Sequence, residues 1–173
     1  RSDRGKMSLV NIHDGLDSTL FILKHRMKDT DVSGGIEVVK NYTELPLVRC
    51  YAEQLNQVFM NLLSNAIDAI EDSKVAGHFD NKQEGGKIYI TTELSENQTV
   101  TIRIGDNGLG MSEEVHSQLF NAFFTTKPIG KGTGLGLSIS HQIVTQKHRG
   151  KLECFSKFGE GTEFAIELPI GRS

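Results

Sequence analysis

The stretch from Glu53 to Asp72 is the sequence feature that most constrains the fold. Its apolar residues recur at intervals of three and four, which predicts one long amphipathic helix with a core-facing stripe. That stripe consists of Leu55, Val58, Phe59, Leu62, Ala66 and Ile70. A polar stripe borders it, formed by Gln54, Gln57, Asn61, Asn65, Asp68 and Asp72. Such a helix must bury its apolar stripe against a second layer, and its polar stripe then lies at the rim of the core.

Helical and strand patterns alternate along the rest of the chain. Further helices are predicted over 11–28, after Ser112 and from Leu135 to Ile143, the last of which ends before Gly150. Strands are predicted near 36–39, 47–50, 88–92, 100–104, 152–155 and 162–168, several of them with alternating apolar residues. This order predicts an α+β fold, in which helices cover one face of a mixed sheet in two layers.

Composition and charge exclude several classes of protein. The 173 residues suit one domain, and 19 Lys and Arg against 22 Asp and Glu give a net charge of −3, which argues against nucleic acid as a partner. No apolar run reaches the ~18 residues of a membrane span, so no direct membrane contact is expected. Cys50 and Cys154 stand far apart, which favours a cytoplasmic setting over a disulfide framework or a zinc site.

The ends of the chain predict a module taken from a longer protein. The chain begins with Arg1-Ser2-Asp3 and ends with Gly171-Arg172-Ser173. We expect a linker or tag remnant at 1–7, one domain at 8–170 and a tail or cloning scar at 171–173. This leaves room for a membrane anchor elsewhere in the parent protein.

Glycine is concentrated in one part of the sequence. There are 18 Gly against 3 Pro, and seven of the glycines lie between 105 and 136. They are Gly105, Gly108, Gly110, Gly130, Gly132, Gly134 and Gly136. A glycine-rich segment that opens a helix favours backbone N–H groups gathered around an anion. The P-loop pattern fails because no Gly-Lys pair is followed by Ser or Thr, and the dinucleotide-binding pattern fails because leucines occupy the position of its third glycine.

Five segments together resemble the ATP-binding catalytic domain of sensor histidine kinases, a branch of the superfamily that also holds gyrase, chaperone and mismatch-repair ATPases. They are Asn61 to Ala69, Asp106 to Gly110, Phe120 to Lys127, Gly132 to Leu137 and Gly159 to Thr162. They are similar, in this order, to the family's asparagine box, first glycine box, phenylalanine box, and second and third glycine boxes. The resemblance runs over roughly residues 8–169. It implies the Bergerat fold, a two-layer α/β sandwich whose mostly antiparallel sheet is covered by three helices on one face, with an ATP lid.

The resemblance also implies a role for individual residues. Asp106 would accept the exocyclic amine of adenine, and Thr162 would lie near the base. Asn65 would bind Mg²⁺, Asn61 would assist through water as a catalytic residue, and Lys127 would neutralise phosphate charge as the other catalytic residue. The expected ATP-binding set is Asn61, Asn65, Asp106, Gly108, Gly110, Thr125, Thr126, Lys127, Gly130, Lys131, Gly132, Thr133, Gly134, Leu135, Gly136, Leu137 and Thr162.

Each of these residues also has an ordinary structural explanation. Asp106 suits a turn, because Asp side chains bond nearby backbone N–H groups. Asn61 and Asn65 suit a solvated helix face, and Lys127 suits any protein surface. Phe120, Phe123 and Phe124 would anchor the lid segment on the core under either interpretation. Asp68 departs from many histidine kinases, which carry a basic residue there, and this argues against a phosphate contact from position 68.

Position 61 separates a kinase from an ATPase. The related ATPases place a Glu one helical turn before the metal-binding Asn, where it acts as general base, but this chain has Asn61. An amide cannot take that role, so the resemblance implies transfer of the γ-phosphoryl group of ATP to a histidine. The alternatives are a nucleotide-binding module without catalysis and a protein serine kinase of the same superfamily, for which a Glu at position 61 is expected.

The acceptor histidine is expected in a separate domain. His13 is followed by Asp14, but no Pro occurs before Pro46, unlike the family's acceptor motif, and His13 lies only 48 residues before Asn61. The expected partners are therefore the histidine-containing dimerisation domain of the same kinase and a downstream response regulator. Without that acceptor domain, the chain is expected to be inactive in autophosphorylation.

Overall fold

A computed structural model of the chain describes residues 5–28, 35–122 and 136–170. The strands are β1 Ser8–Val10, β2 Glu37–Asn41, β3 Val48–Cys50, β4 Lys87–Leu94, β5 Thr99–Asp106, β6 Lys151–Lys157 and β7 Gly161–Pro169. The helices are α1 Ile12–Ile22, α2 Lys24–Met27, α3 Ala52–Val75, α4 Glu113–Gln118 and α5 Gly136–Gln142, which a π-helical segment continues over Ile143–Lys147. In these described parts of the chain, every helix is too short or too polar to cross a bilayer.

Five strands form the main sheet, in the order β2-β4-β5-β7-β6. Strands β2 and β4 are parallel, whereas the other three pairs are antiparallel. Helix α3 packs over β4 and β5, and α1 and α5 pack against α3. The expectation of a two-layer fold with a mixed, mostly antiparallel sheet is therefore confirmed. A separate two-stranded antiparallel ribbon joins β1 to β3.

The core lies between α3 and the sheet. All six apolar residues predicted for the stripe of α3 are buried, and Leu63 and Ile67 widen the buried arc. The sheet contributes inward-facing residues that are at most 1% exposed, namely Ile88, Ile90, Val100, Ile102, Ile104, Ile166 and Leu168. Full burial of each such aliphatic side chain contributes about 1.5–3 kcal/mol. This apolar contact fixes α3 on the sheet and thereby positions its polar stripe.

The N-terminal region differs from the sequence prediction. The single helix predicted over 11–28 is wrong, because α1 ends at Ile22 and α2 begins at Lys24. Leu23 between them is buried, and its N–H donates to the carbonyl of Thr19, which closes the last turn of α1. Strand β1 was not predicted, since its three residues become a strand only by pairing with β3, as in Ser8 with Cys50.

His148 fixes the start of α3 to the end of the π-helical segment. The ring is 5% exposed, and its Nε2 lies 3.0 Å from the backbone N of Tyr51, the residue that precedes α3. Its Nδ1 lies 3.0 Å from the carbonyl oxygen of Ile143. Because an amide can only donate and a carbonyl can only accept, the ring is neutral with its proton on Nδ1. Burial lowers the pKa of His148, which agrees with this neutral form.

Candidate functional site

One row of polar side chains crosses β5, β7 and β6 at the end of the main sheet, on the face that the helices cover, and Ile88 of β4 continues this row as an apolar residue. Asp106 of β5 pairs with Thr162 of β7, and Thr162 pairs with Ser156 of β6. The next two rows on this face are apolar or nearly so, and consist of Ile104, Phe164 and Cys154, then Ile102, Ile166 and Leu152. Side chains directly opposite one another in such rows are immediate neighbours. The site is therefore built where the apolar core ends.

Asp106 is a largely desolvated carboxylate at the end of β5. Burial raises its pKa to about 6, although backbone N–H groups of Gly108 and Thr162 donate to it and lower the pKa. The bond from the N of Gly108 to Oδ1 measures 2.9 Å. Asp106 thus forms the turn that its sequence neighbours suggest, and it also holds an acceptor at the edge of the core. The turn is thus confirmed, and the contact with adenine stays a prediction.

The loop after Asp106 is packed so closely that a side chain at Gly108 would crowd its neighbours and one at Gly110 would clash with backbone. A Cβ on Gly108 would lie 2.9 Å from Oγ of Ser73 and 3.2 Å from the carbonyl oxygen of Ala69, both on α3. Gly110 has φ +78°, and a Cβ there would collide with the carbonyl of Lys157. The backbone of this loop therefore lies against α3 on one side and against the β6–β7 turn on the other.

Two side chains that the sequence interpretation did not single out hold this loop in place. Oγ of Ser73 accepts from the N of Leu109 at 2.8 Å and donates to the carbonyl of Ala69 at 2.6 Å. The side chain of Asn107 accepts from the N of Lys87 at 2.8 Å and donates to the carbonyl of Gly85 at 3.0 Å. The sequence offered one signal for each residue. Ser73 is a polar residue on the buried side of a helix, and Asn107 lies between Asp106 and Gly108 in a turn.

Ser156 and Thr162 connect the sheet to the end of the same loop. Oγ of Ser156 lies 2.8 Å from Oγ1 of Thr162 and 3.1 Å from the carbonyl oxygen of Gly161. It also accepts from the N of Met111 at 2.8 Å. Thr162 is 8% exposed, so its hydroxyl faces the interior. Thr162 was predicted from the sequence but Ser156 was not, because the pairing of β6 with β7 decides which residue lies opposite Thr162.

Asn61 on α3 contacts the first turn of α5. Its Nδ2 donates to the carbonyl of Gly136 at 3.1 Å and to Oγ of Ser140 at 3.0 Å. A Cβ on Gly136 would lie 3.7 Å from Cγ of Asn61, so the two residues are in direct contact. Asn65 lies one turn further along the same face of α3. The predicted asparagine box and the end of the predicted second glycine box are thus adjacent.

The family described as "Histidine kinase-, DNA gyrase B-, and HSP90-like ATPase" matches residues 50–172, which is more than half of the chain. This chain belongs to that family. Its match begins just before α3 and includes the Asp106 row, the loop that follows, and the contact between Asn61 and Gly136.

The relatives within this ATPase family are sensor kinases. Sporulation kinase E of Bacillus subtilis is 37% identical over 127 residues, which are 73% of this chain and 15% of that protein. Sensor protein TdiS of Thauera aromatica is 30% identical over 162 residues, which are 92% of this chain and 27% of that protein. This chain therefore spans less than a third of either relative.

The catalytic domain of histidine kinase ThkA has the same fold. Its structure superimposes with a TM-score of 0.76 at 26% identity, covering 95% of this chain and 96% of that domain. A longer ThkA chain, solved in complex with its response regulator TrrA, gives a TM-score of 0.72 at 25% identity, with 95% of this chain and 42% of that chain covered. The chain is thus a histidine kinase catalytic domain in fold as well as in sequence.

Part of the predicted ATP-binding set lies outside the described residues. Thr125, Thr126, Lys127, Gly130, Lys131, Gly132, Thr133, Gly134 and Leu135 belong to this part, and Phe123 and Phe124 also lie outside the described residues. Within the described part, Leu137 packs on the core. The ring of Phe120 lies 4.9 Å from that of His141 and 6.4 Å from that of Phe164. Phe120 thus anchors the beginning of the predicted phenylalanine box on the core.

Asp68 takes part in an ion pair between two helices. Its Oδ1 lies 2.6 Å from a guanidinium nitrogen of Arg26 on α2, and Glu71 lies 2.9 Å from the same nitrogen. These contacts join α2 to α3 at the end of the asparagine box. They account for an acidic residue at a position where many histidine kinases carry a basic one.

His13 is used in packing. Its Nε2 lies 2.9 Å from Oγ1 of Thr92, and its ring stacks on that of Tyr42 with centroids 4.2 Å apart. Burial lowers the pKa of His13, although Asp17 and Asp14 raise it. These contacts hold α1 on the sheet and agree with the sequence argument against His13 as a phosphoryl acceptor.

Proposed function

We propose that this chain binds ATP with Mg²⁺ and donates the γ-phosphoryl group to a histidine on a separate domain of its parent kinase. The observation that carries the proposal is the pairing of a desolvated Asp106, suited to an adenine amine, with an asparagine instead of a glutamate at position 61. The domain is assigned to residues 8–170. Its setting is the cytoplasm, in a two-component signalling pathway.

The base is recognised at the polar row. The carboxylate of Asp106 accepts a hydrogen bond from the exocyclic amine of adenine, and a charged acceptor in a desolvated site makes such a bond strong. Gly108 and Gly110 let the loop after Asp106 lie close against α3 and the β6–β7 turn, and this packing holds the carboxylate of Asp106 in place. Thr162 presents its hydroxyl beside Asp106.

The donors on α3 fit a magnesium ion. Among residues 5–28, 35–122 and 136–170, no three His, Cys, Asp or Glu side chains gather into a metal site. Mg²⁺ needs none, because it commonly takes one or two oxygens from the protein and the rest from phosphates and water. The amide oxygen of Asn65 supplies such a ligand, and Asn61 assists through water. The bound ion neutralises and orients the phosphate groups.

The site lacks the base that hydrolysis requires at this position. The Nδ2 of Asn61 donates to Gly136 and Ser140 of α5, which fixes the amide in a structural contact. An amide does not accept a proton from water at neutral pH, so bound ATP persists until the imidazole of the acceptor arrives. The chain then contributes orientation for in-line transfer and charge neutralisation, with Lys127 as the predicted cation.

The proposed partners follow from the relatives. Those compared are sensor kinases much longer than this chain, and ThkA has been solved with a response regulator. We assign to this chain a histidine-containing dimerisation domain in the same parent as the direct acceptor, and a response regulator as the downstream one. Neither nucleic acid nor a membrane surface is a partner of this domain.

A transfer assay tests the proposal. The chain is mixed with ATP labelled in the γ-phosphate, with and without the dimerisation domain of its own parent protein. We expect label on that domain that is lost in acid and kept in base, which is the signature of phosphohistidine. The chain alone should carry no label and release little phosphate.

Three variants and two contrary outcomes sharpen this assay. Asn65→Ala should lose the dependence of ATP binding on Mg²⁺, and a variant of the acceptor domain without its histidine should take no label. Asp14→Asn, on the exposed side of α1, is the matched control and should transfer normally. Acid-stable label would favour the serine kinase, and rapid hydrolysis by the chain alone would contradict the proposal.

A further inference from the structure

Ser156 occupies a position from which it controls the hydroxyl of Thr162. Among residues 5–28, 35–122 and 136–170, its oxygen has three polar neighbours, the N of Met111, the carbonyl oxygen of Gly161 and Oγ1 of Thr162, at 2.8, 3.1 and 2.8 Å. A serine hydroxyl has one proton to donate and two lone pairs to accept with. The three contacts therefore use its full capacity.

The chemistry of the neighbours fixes the direction of each bond. The N of Met111 can only donate, and the carbonyl of Gly161 can only accept, so it receives the proton of Ser156. One lone pair of Ser156 then remains, and only a donor can use it. Thr162 must donate its own hydroxyl proton there, which leaves Oγ1 of Thr162 as a pure acceptor toward Asp106 and the adjoining site.

We propose that Ser156 is a positioning residue that makes Thr162 a hydrogen-bond acceptor and thereby selects a purine with a 6-amino group over one with a 6-oxo group. This inference rests on the proposed function, since it takes the polar row as the place where the base is recognised. Ser156 itself acts through Thr162 and is not a catalytic residue.

The selectivity follows from which groups in the row accept hydrogen bonds and which groups of the base donate them. Asp106 and Thr162 are neighbours on the same face of the sheet, and both then present acceptors. Adenine carries an amine donor at position 6, whereas guanine and hypoxanthine carry a carbonyl acceptor there. The two amine hydrogens of adenine can each meet one of these acceptors. A 6-oxo purine offers them only its N1–H and leaves its carbonyl unpaired, and a buried polar group without a partner is strongly unfavourable.

Comparison of ATP with inosine triphosphate isolates the 6-amino edge of the base. Calorimetric titration at pH 8, where Asp106 is ionised, gives the dissociation constant of each nucleotide for the whole chain. In Ser156→Ala, the hydroxyl of Thr162 is free to donate to a 6-oxo group. We expect the preference for ATP over inosine triphosphate to fall about fivefold to tenfold.

Four further variants complete the test. Ser156→Thr keeps a hydroxyl and should therefore retain the preference for ATP over inosine triphosphate that Ser156→Ala loses. Thr162→Val should itself reduce the preference for ATP over inosine triphosphate. The double variant of Thr162→Val and Ser156→Ala should show the same ratio of dissociation constants as Thr162→Val alone. Ser95→Ala is the matched control, because Oγ of Ser95 also accepts a backbone N–H, from Asn97, but lies in the hairpin turn at the opposite end of β4 and β5. It should leave the ratio unchanged.

The outcomes separate this inference from the proposed function. If Ser156→Ala weakens both nucleotides by the same factor, Ser156 only supports the fold and the inference is wrong. If Ser156→Ala cannot be obtained folded, an unchanged ratio in Thr162→Val overturns the inference equally. Failure of the unmodified chain to bind ATP would instead refute the proposed function, and the inference with it.

Discussion

The two ends of one sheet face differ in what their residues do, although the strands and the direction of the side chains are the same. The rows through Ile102 and Ile104 are apolar and meet α3, so they stabilise the fold. The row through Asp106, Thr162 and Ser156 continues the same alternation but is polar. The proposed recognition of the base thus uses the last row of the core on β5, β7 and β6, next to the fully buried Ile88 of β4.

The polar row lowers stability, whereas the apolar rows raise it. Burial raises the pKa of Asp106 from 3.8 to about 6. At 1.36 kcal/mol per pKa unit, this shift corresponds to roughly 3 kcal/mol of lost stability at neutral pH. The free protein therefore keeps an ionised carboxylate in a position that opposes its own folding. A hydrogen-bond donor on the proposed ligand would offset part of that penalty, so the affinity for ATP and the stability cost of Asp106 are expected to be linked.

Asp106→Asn should have the largest effect on the difference between the polar row and the apolar rows. An amide in place of the carboxylate loses the charged acceptor for the adenine amine, so ATP affinity should fall by about 100-fold or more. The empty protein should at the same time melt a few degrees higher, since about 1 kcal/mol shifts the melting temperature of a domain of this size by ~2–4 °C. Titration calorimetry and thermal unfolding measure the two effects. Unchanged ATP affinity would remove Asp106 from base recognition.

Ile102→Ala tests the apolar side of the comparison. The side chain of Ile102 is fully buried, so truncation should lower the free energy of unfolding by about 2–5 kcal/mol. Denaturant unfolding measures this loss. The fraction that remains folded should bind ATP with an affinity within about twofold of the unmodified chain, as expected for separate sites. A selective loss of ATP affinity would mean that the apolar rows also shape the recognition site.

The pH dependence should run in opposite directions for stability and for binding. Because the pKa of Asp106 is raised to about 6 in the folded chain, protonation relieves its burial as the pH falls from 7 toward 4, so its contribution to stability improves. Over the same range the ionised acceptor is lost, and ATP affinity should decrease about tenfold per pH unit below 6. Subtracting the pH profiles of stability and ATP affinity measured for Asp106→Asn isolates the contribution of Asp106 to each. Parallel trends would contradict this assignment.

Ser73→Ala should have the smallest effect. It removes the acceptor for the N of Leu109 and so loosens the contact between α3 and the loop after Asp106, while the apolar rows stay intact. We expect a loss of about 1 kcal/mol in stability and a few-fold loss in ATP affinity. Ser117→Ala, whose hydroxyl bonds to Glu114 in exposed α4, is the control. Equal effects of both substitutions would deny Ser73 any special role.

The elements with strong periodicity were predictable, and those that depend on distant partners were not. Helix α3 follows from its apolar repeat, and β4 and β5 follow from alternation, because both signals lie within one short stretch. Strand β1 and the break at Leu23 depend on contacts with β3 and with the core, which local sequence does not contain. Asp106 and Thr162 were found through motifs, whereas Ser156 enters the site only through the register of β6 against β7.

The pairing of β5 with β7 has a consequence for folding. Strands β4 and β5 form one local hairpin, and β6 and β7 form another. Asp106 and Thr162 lie 56 positions apart, and they meet only when the two hairpins dock. Such long-range pairing closes late, because the entropy of a long loop must be overcome before its contacts form. On the proposed assignment, a chain whose two hairpins have not docked lacks the recognition site, so nucleotide binding is expected to report on the pairing of β5 with β7.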